Sequence, residues 1–202
     1  MGEDHDAPMR IIETVLASNE ARKRSMARRI AAVQNGSLRG KTIALLGLTF
    51  KAETDDMRDA VSIPIAQALL DAGAIVNAYD PVANGRARTI LPPLVRYHES
   101  ALDAADGADS IVIATEWEEF KHLDLRRLKA RMKTPLIIEL RNLLNDKAFR
   151  LSGFRYVGIG GSNRQAFGEP ALSVVSRASP WPAPKTRSRA GDTGAEKITA
   201  AE

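Results

Sequence analysis

"LLGLTFKAETDDMRD", residues 45–59, decides how the rest of the chain reads. An apolar run reaches a glycine at Gly47 and breaks into a charged turn, as strands of a parallel sheet do at their carboxyl ends. A dinucleotide-binding turn needs G-x-G-x-x-G, and only one glycine comes. Lys51 follows four residues later. A lone glycine builds a poor backbone cradle, so a loop of this kind holds an anion largely through side chains.

Working outward, strands and helices alternate. "KTIALLG" (41–47), "AIVNAYD" (74–80), "DSIVIAT" (109–115), "PLIIEL" (135–140) and "FRYVGIG" (154–160) read as short buried strands. "SIPIAQALLDAG" (62–73), "SALDAADGA" (100–108), "DLRRLKARM" (124–132) and "NDKAFRL" (145–151) read as the helices between them. Ser62 is the expected cap of the first of these helices, and Gly73 its stop. The alternation predicts a doubly wound parallel Rossmann-like α/β domain over residues 40–161. Ahead of it, residues 9–36 read as one long helix with a stripe of Ile12, Val15, Leu16, Asn19, Met26, Ile30 and Val33. Its apolar members, Ile12, Val15, Leu16, Met26, Ile30 and Val33, are expected to lack a partner within one small sheet domain, and so to self-associate. Residues 162–202 carry four prolines and no sustained period, and are expected to be a disordered tail.

Composition narrows the chemistry. Among 202 residues there is no cysteine, and the three histidines, His5, His98 and His122, have no metal-ligand spacing. No disulfide, thiolate zinc site or metal centre is therefore expected. No apolar run approaches the ~20 residues of a membrane span, and the acidic start resembles no secretory signal, so a cytoplasmic location is the expectation. The basic residues of the first helix, Arg22, Lys23, Arg24, Arg28 and Arg29, accompany no recognition motif. They do not make nucleic acid the expected partner.

A doubly wound sheet binds its ligands beyond the strands' carboxyl ends. There Gly47, Asp80, Thr115 and Arg141 offer a loop, a carboxylate, a hydroxyl and a guanidinium. Lys51 and Arg141 together suit a phosphate-bearing ligand, Arg by a bidentate fork and Lys as a point charge. Asp55, Asp56 and Asp59 fit pairing with Arg58 or a place near a helix start better than acid–base work. Trp117 and Phe120 suit stacking on a base and packing at the sheet equally well.

At this point "GLTFKAETDDMRDA" resembles the G-x-x-F-K-x-x-T-D-D-x-R motif of the UDP-glucose/GDP-mannose dehydrogenase family. The resemblance continues through "AYDP" (78–81), "ADSIVIATEWEEF" (108–120) and "PLIIELRN" (135–142), and "RIIETVLASNEARKRSMARRI" (10–30) is similar to that family's central helix. The "TEW" and "LRN" forms look more like the UDP-glucose branch than the GDP-mannose branch. The resemblance implies a central dimerising helix and a C-terminal domain that holds the UDP-sugar. It implies UDP-sugar contacts from Phe50, Lys51 and Arg141, and contact from Arg58 to NAD bound on a separate domain. It also implies NAD-dependent oxidation of UDP-glucose to UDP-glucuronate, through a cysteine in a segment upstream of residue 1. With no cysteine here, the chain is expected to be a truncated form, inactive alone, with no catalytic residue of its own. The alternatives are a non-catalytic module that binds UDP or UDP-glucose, or pairs with a full-length dehydrogenase through its first helix, and an unrelated α/β interaction protein. Ala52 and Val61 stand where the family often has proline, and Glu139 where it has aspartate, so weakened binding geometry is expected.

Overall fold

The computed structural model describes residues 10–144 and 146–158. The expected tail at 162–202 and positions 159–160 of the expected final strand lie outside them. Helix α1 (Arg10–Val33) leads into β1 (Thr42–Leu46), α2 (Ser62–Asp71), β2 (Ile75–Tyr79), α3 (Asn84–Ala87) and β3 (Arg96–Tyr97). Then follow α4 (Ala101–Ala104), β4 (Ser110–Ile113), a 3-10 turn (Glu118–His122), α5 (Leu125–Arg131), β5 (Leu136–Glu139), α6 (Asp146–Leu151) and β6 (Arg155–Gly158). The strands form one sheet in the order β3-β2-β1-β4-β5-β6, and every pair is parallel. This is the doubly wound α/β architecture expected from the sequence.

The strands are apolar runs because both faces of the sheet are covered. Successive side chains alternate between two packed layers. Ile43, Leu45, Val76, Ala78, Val112 and Ile138 pack on one face with Ile65 and Leu69 of α2 and with Met26, Ile30 and Val33 of α1. Ala44, Leu46, Ile111, Ile113 and Ile137 pack on the other with Phe120, Leu128, Phe149 and Phe154.

The stripe of α1 therefore divides, against the expectation that all of it lacks a partner. Met26, Ile30 and Val33 are core, whereas Ile12 and Val15 are each 53% exposed and Ile11 is 82% exposed. Ser62 also departs from its expected role. Val61 sits at the cap position of α2 with no side-chain cap bond, and the Ser62 hydroxyl, fully buried, donates to the Leu48 carbonyl instead. A carbonyl left at the end of β1 outcompetes the local amides. Gly73 does stop α2. It has a φ of +80°, and the Gly73 and Ala74 amides return to the Leu70 and Leu69 carbonyls. Among the described residues no helix is long and apolar enough to cross a membrane.

The register fixes where the strands end. Leu46 pairs with both Tyr79 and Ile113, Ile113 with Glu139, and Glu139 with Gly158. One row of the sheet thus closes β2, β1, β4 and β5, and the residues that follow these four strands share a rim.

Candidate functional site

Gly47 opens the rim at the switch point, where connections from β1 and β4 leave in opposite directions. Its φ is +82°, and a Cβ there would stand 2.6 Å from the Cβ and 2.8 Å from the amide of Thr115. Only glycine allows the two loops to approach so closely. Thr115, fully buried, ties them together by donating its hydroxyl to the Thr49 carbonyl at 2.7 Å.

Asp80, at the end of β2, is the second tie. It is 1% exposed. Its Oδ2 accepts from the Leu48 amide at 2.7 Å and the Trp117 indole at 3.0 Å. Its Oδ1 accepts from the Val82 and Ala83 amides at 3.0 and 2.9 Å. One carboxylate therefore joins the loops after β1, β2 and β4. The hydroxyl and the carboxylate expected to face a ligand instead hold together the loops after β1, β2 and β4. Asp80 also stands where a dinucleotide fold keeps its ribose-binding acid free. With that acid spent on internal donors and one glycine in the turn, the residues of this sheet do not fit NAD held in the dinucleotide-fold manner.

Trp117 and Phe120 prove to be packing residues. Trp117 is 4% exposed and held by Asp80, and Phe120 is fully buried, meeting Tyr79 edge-on at 6.3 Å between ring centroids.

On the loop after β1, the Phe50 amide donates to the Asp56 carbonyl at 2.8 Å and closes a tight excursion. Phe50 is left half exposed and Lys51 exposed. Lys51 enters no ion pair among the described residues. Arg58 grips Asp56 through Nε and Nη2, with Nη2 at 2.7 Å. These bonds hold the Asp56 carboxyl well below the usual range. Asp55 pairs with Arg86 of α3 at 3.0 Å. Two of the three aspartates are thus loop braces.

Arg141 leaves the rim after β5. Its backbone is set by Glu139, a fully buried carboxylate that accepts from the Arg141 amide, the Leu143 amide at 3.0 Å and the Tyr156 hydroxyl at 2.9 Å. Between them Asn142 adopts a φ of +55°, a conformation asparagine tolerates better than most residues. Glu139, which stands where the family has aspartate, satisfies two loop amides and reaches β6. The Arg141 guanidinium forks onto Glu116, Nε to Oε2 and Nη2 to Oε1 at 2.9 Å.

Phe50, Lys51 and Arg58 thus share the β1 loop, and Arg141 joins the same rim from the β5 loop with β4 between. The sequence reading missed Glu116 and the anchoring by Glu139 and Tyr156. A charge at the end of an apolar strand, "LIIEL", was the available signal for Glu139. Among the described residues no group of three His, Asp or Glu side chains could hold a metal ion.

The chain resembles known proteins over this same span. The model of the UDP-glucose/GDP-mannose dehydrogenase family, UDP binding domain, matches residues 44–146. A UDP-glucose 6-dehydrogenase from Rhizobium meliloti is 49% identical over 158 residues, which cover 78% of this chain and 36% of that protein. One from Rickettsia conorii is 42% identical over 159 residues, 78% of this chain and 37% of that protein. The solved structure of a UDP-glucose dehydrogenase from Pyrobaculum islandicum superposes with a TM-score of 0.63 at 31% identity, covering 78% of this chain and 34% of that one. The chain therefore spans about a third of the length of the curated relatives it matches.

Proposed function

The chain belongs to the UDP-glucose/GDP-mannose dehydrogenase family, and from that premise we propose that residues 40–161 hold the UDP moiety of UDP-glucose at the carboxyl rim of the sheet. One observation supports this reading most: the aligned strand ends bring the Lys51 loop and the Arg141 loop to one rim, each braced from behind by a buried carboxylate. Two cations from different strands suit a diphosphate, whose charge a single lysine neutralises poorly. Phe50, half exposed beside Lys51, supplies an apolar surface for the nucleotide.

The activity that goes with this role is NAD-dependent oxidation of UDP-glucose to UDP-glucuronate. These 202 residues contain no cysteine, so the covalent step is assigned to none of them, and the chain alone is inactive in this reading. Its share of the chemistry is to hold and orient the nucleotide sugar. NAD belongs to residues beyond this sheet, which Arg58 faces from the exposed β1 loop.

Calorimetric titration tests the binding role. UDP and UDP-glucose are expected to bind about a hundredfold or more tightly than uridine, since charge-assisted hydrogen bonds contribute ~1.5–3 kcal/mol each and two cations are engaged. Equal affinity for uridine and UDP contradicts it.

The exposed Ile11, Ile12 and Val15 support a second element of the proposal, pairing through α1 with another copy or with a full-length dehydrogenase. Sedimentation at tens of micromolar (order of magnitude for a modest interface) is expected to show self-association. A clean monomer contradicts pairing between copies.

A further inference from the structure

Glu116 occupies the part of Arg141 that a phosphate would use. Nε and Nη2 of the guanidinium meet the two oxygens of one carboxylate, the planar fork by which arginine recognises carboxylates and phosphates alike. The pair sits at the surface, with the two side chains 34% and 36% exposed. Glu139, the other carboxylate near Arg141, is fully buried and committed to the Arg141 and Leu143 amides and to Tyr156. It fixes the loop and has no freedom to exchange. Glu116 ties no second loop in that way: beside the Arg141 fork, its carboxylate accepts only from its own backbone amide among the described residues.

We propose that Glu116 is an internal competitor for the Arg141 fork, so that a diphosphate takes Arg141 by exchange of one anion for another and Glu116 sets the affinity of the site. The inference rests on the reading that Arg141 meets the diphosphate. The hydrogen bond from Arg141 holds the Glu116 carboxyl below its ordinary range, so the competitor is charged at neutral pH. An exposed ion pair is weak enough to yield, and a carboxylate left beside an incoming phosphate also repels it. Both effects lower affinity, and neither acts on an uncharged nucleoside.

The test is titration of the Glu116→Gln variant with UDP and with uridine, after melting curves confirm the fold. UDP is expected to bind about three- to tenfold more tightly than to the parent chain, with uridine binding unchanged. Glu116→Ala is expected to move UDP affinity in the same direction and serves if the amide forms new bonds. UDP affinity unchanged or weakened in the folded variants overturns the inference, and weakening would mean that Glu116 steadies Arg141 for a phosphate bound on its other edge. Arg141→Ala separates the two levels. If it weakens UDP binding tenfold or more while Glu116→Gln changes nothing, the site stands and the competitor falls. If Arg141→Ala changes nothing, both fall.

Discussion

Asp80→Ala is expected to lower the unfolding free energy by about 3–5 kcal/mol, the range for removing one partner from a buried charged network. The carboxylate is 1% exposed and accepts from the Leu48, Val82 and Ala83 amides and the Trp117 indole. Each donor left buried without a partner costs roughly 1–3 kcal/mol, and partial hydration of the new cavity returns some of it. For a chain of this size that is a fall in melting temperature on the order of 10 °C. Asp80→Asn is the sharper form of the test. It conserves volume, yet both carboxylate oxygens face donors only, so its amide NH2 must meet an N–H whichever way it turns. It is expected to recover less than half of the loss. Thermal melts of the two variants check this, and an Asn variant as stable as the parent chain would show that Asp80 is filling space rather than tying loops.

The fold was legible because parallel strands buried on both faces are written as short apolar runs, each ended by a glycine or a polar residue. Strand β3 was not. It is two residues long and pairs only Arg96 with Asn77 and Tyr97 with Ala78, too short for any period. The four-residue α3 escaped for the same reason. Ser62 looked like a cap because local rules see only the amides ahead of it, while its true partner is a carbonyl 14 residues back. The site shows the same division. The charges expected at the rim could be placed from the strand ends, since register carries Lys51 and Arg141 there. Which rim groups face outward could not. Asp80 and Thr115 turn inward because Leu48, Trp117 and Thr49 come from other strand ends, and contacts between loops leave no spacing in the sequence. Half of the α1 stripe was misjudged because periodicity reports that a face is apolar, not whether its own sheet covers it.

The central claim is that the rim holds a diphosphate through Lys51 and Arg141, and that Arg58 serves something else. Lys51 is exposed with no ion-pair partner among the described residues, so its charge is available at little cost. Arg141 is fixed at its backbone by Glu139 and carries a fork suited to phosphate oxygens. Arg58, forked onto Asp56 of its own loop with its side chain 84% exposed, is assigned in this reading to the cofactor rather than to the diphosphate. Loss of a charge-assisted hydrogen bond costs ~1.5–3 kcal/mol, so Lys51→Ala and Arg141→Ala are each expected to weaken UDP binding by roughly ten- to a hundredfold. Arg58→Ala removes no diphosphate contact and is expected to leave UDP affinity nearly unchanged. The direct measurement is calorimetric titration of UDP into the three folded variants beside the parent chain. The account predicts large losses for Lys51→Ala and Arg141→Ala and none for Arg58→Ala; equal losses in all three, or no loss at Lys51, would contradict it.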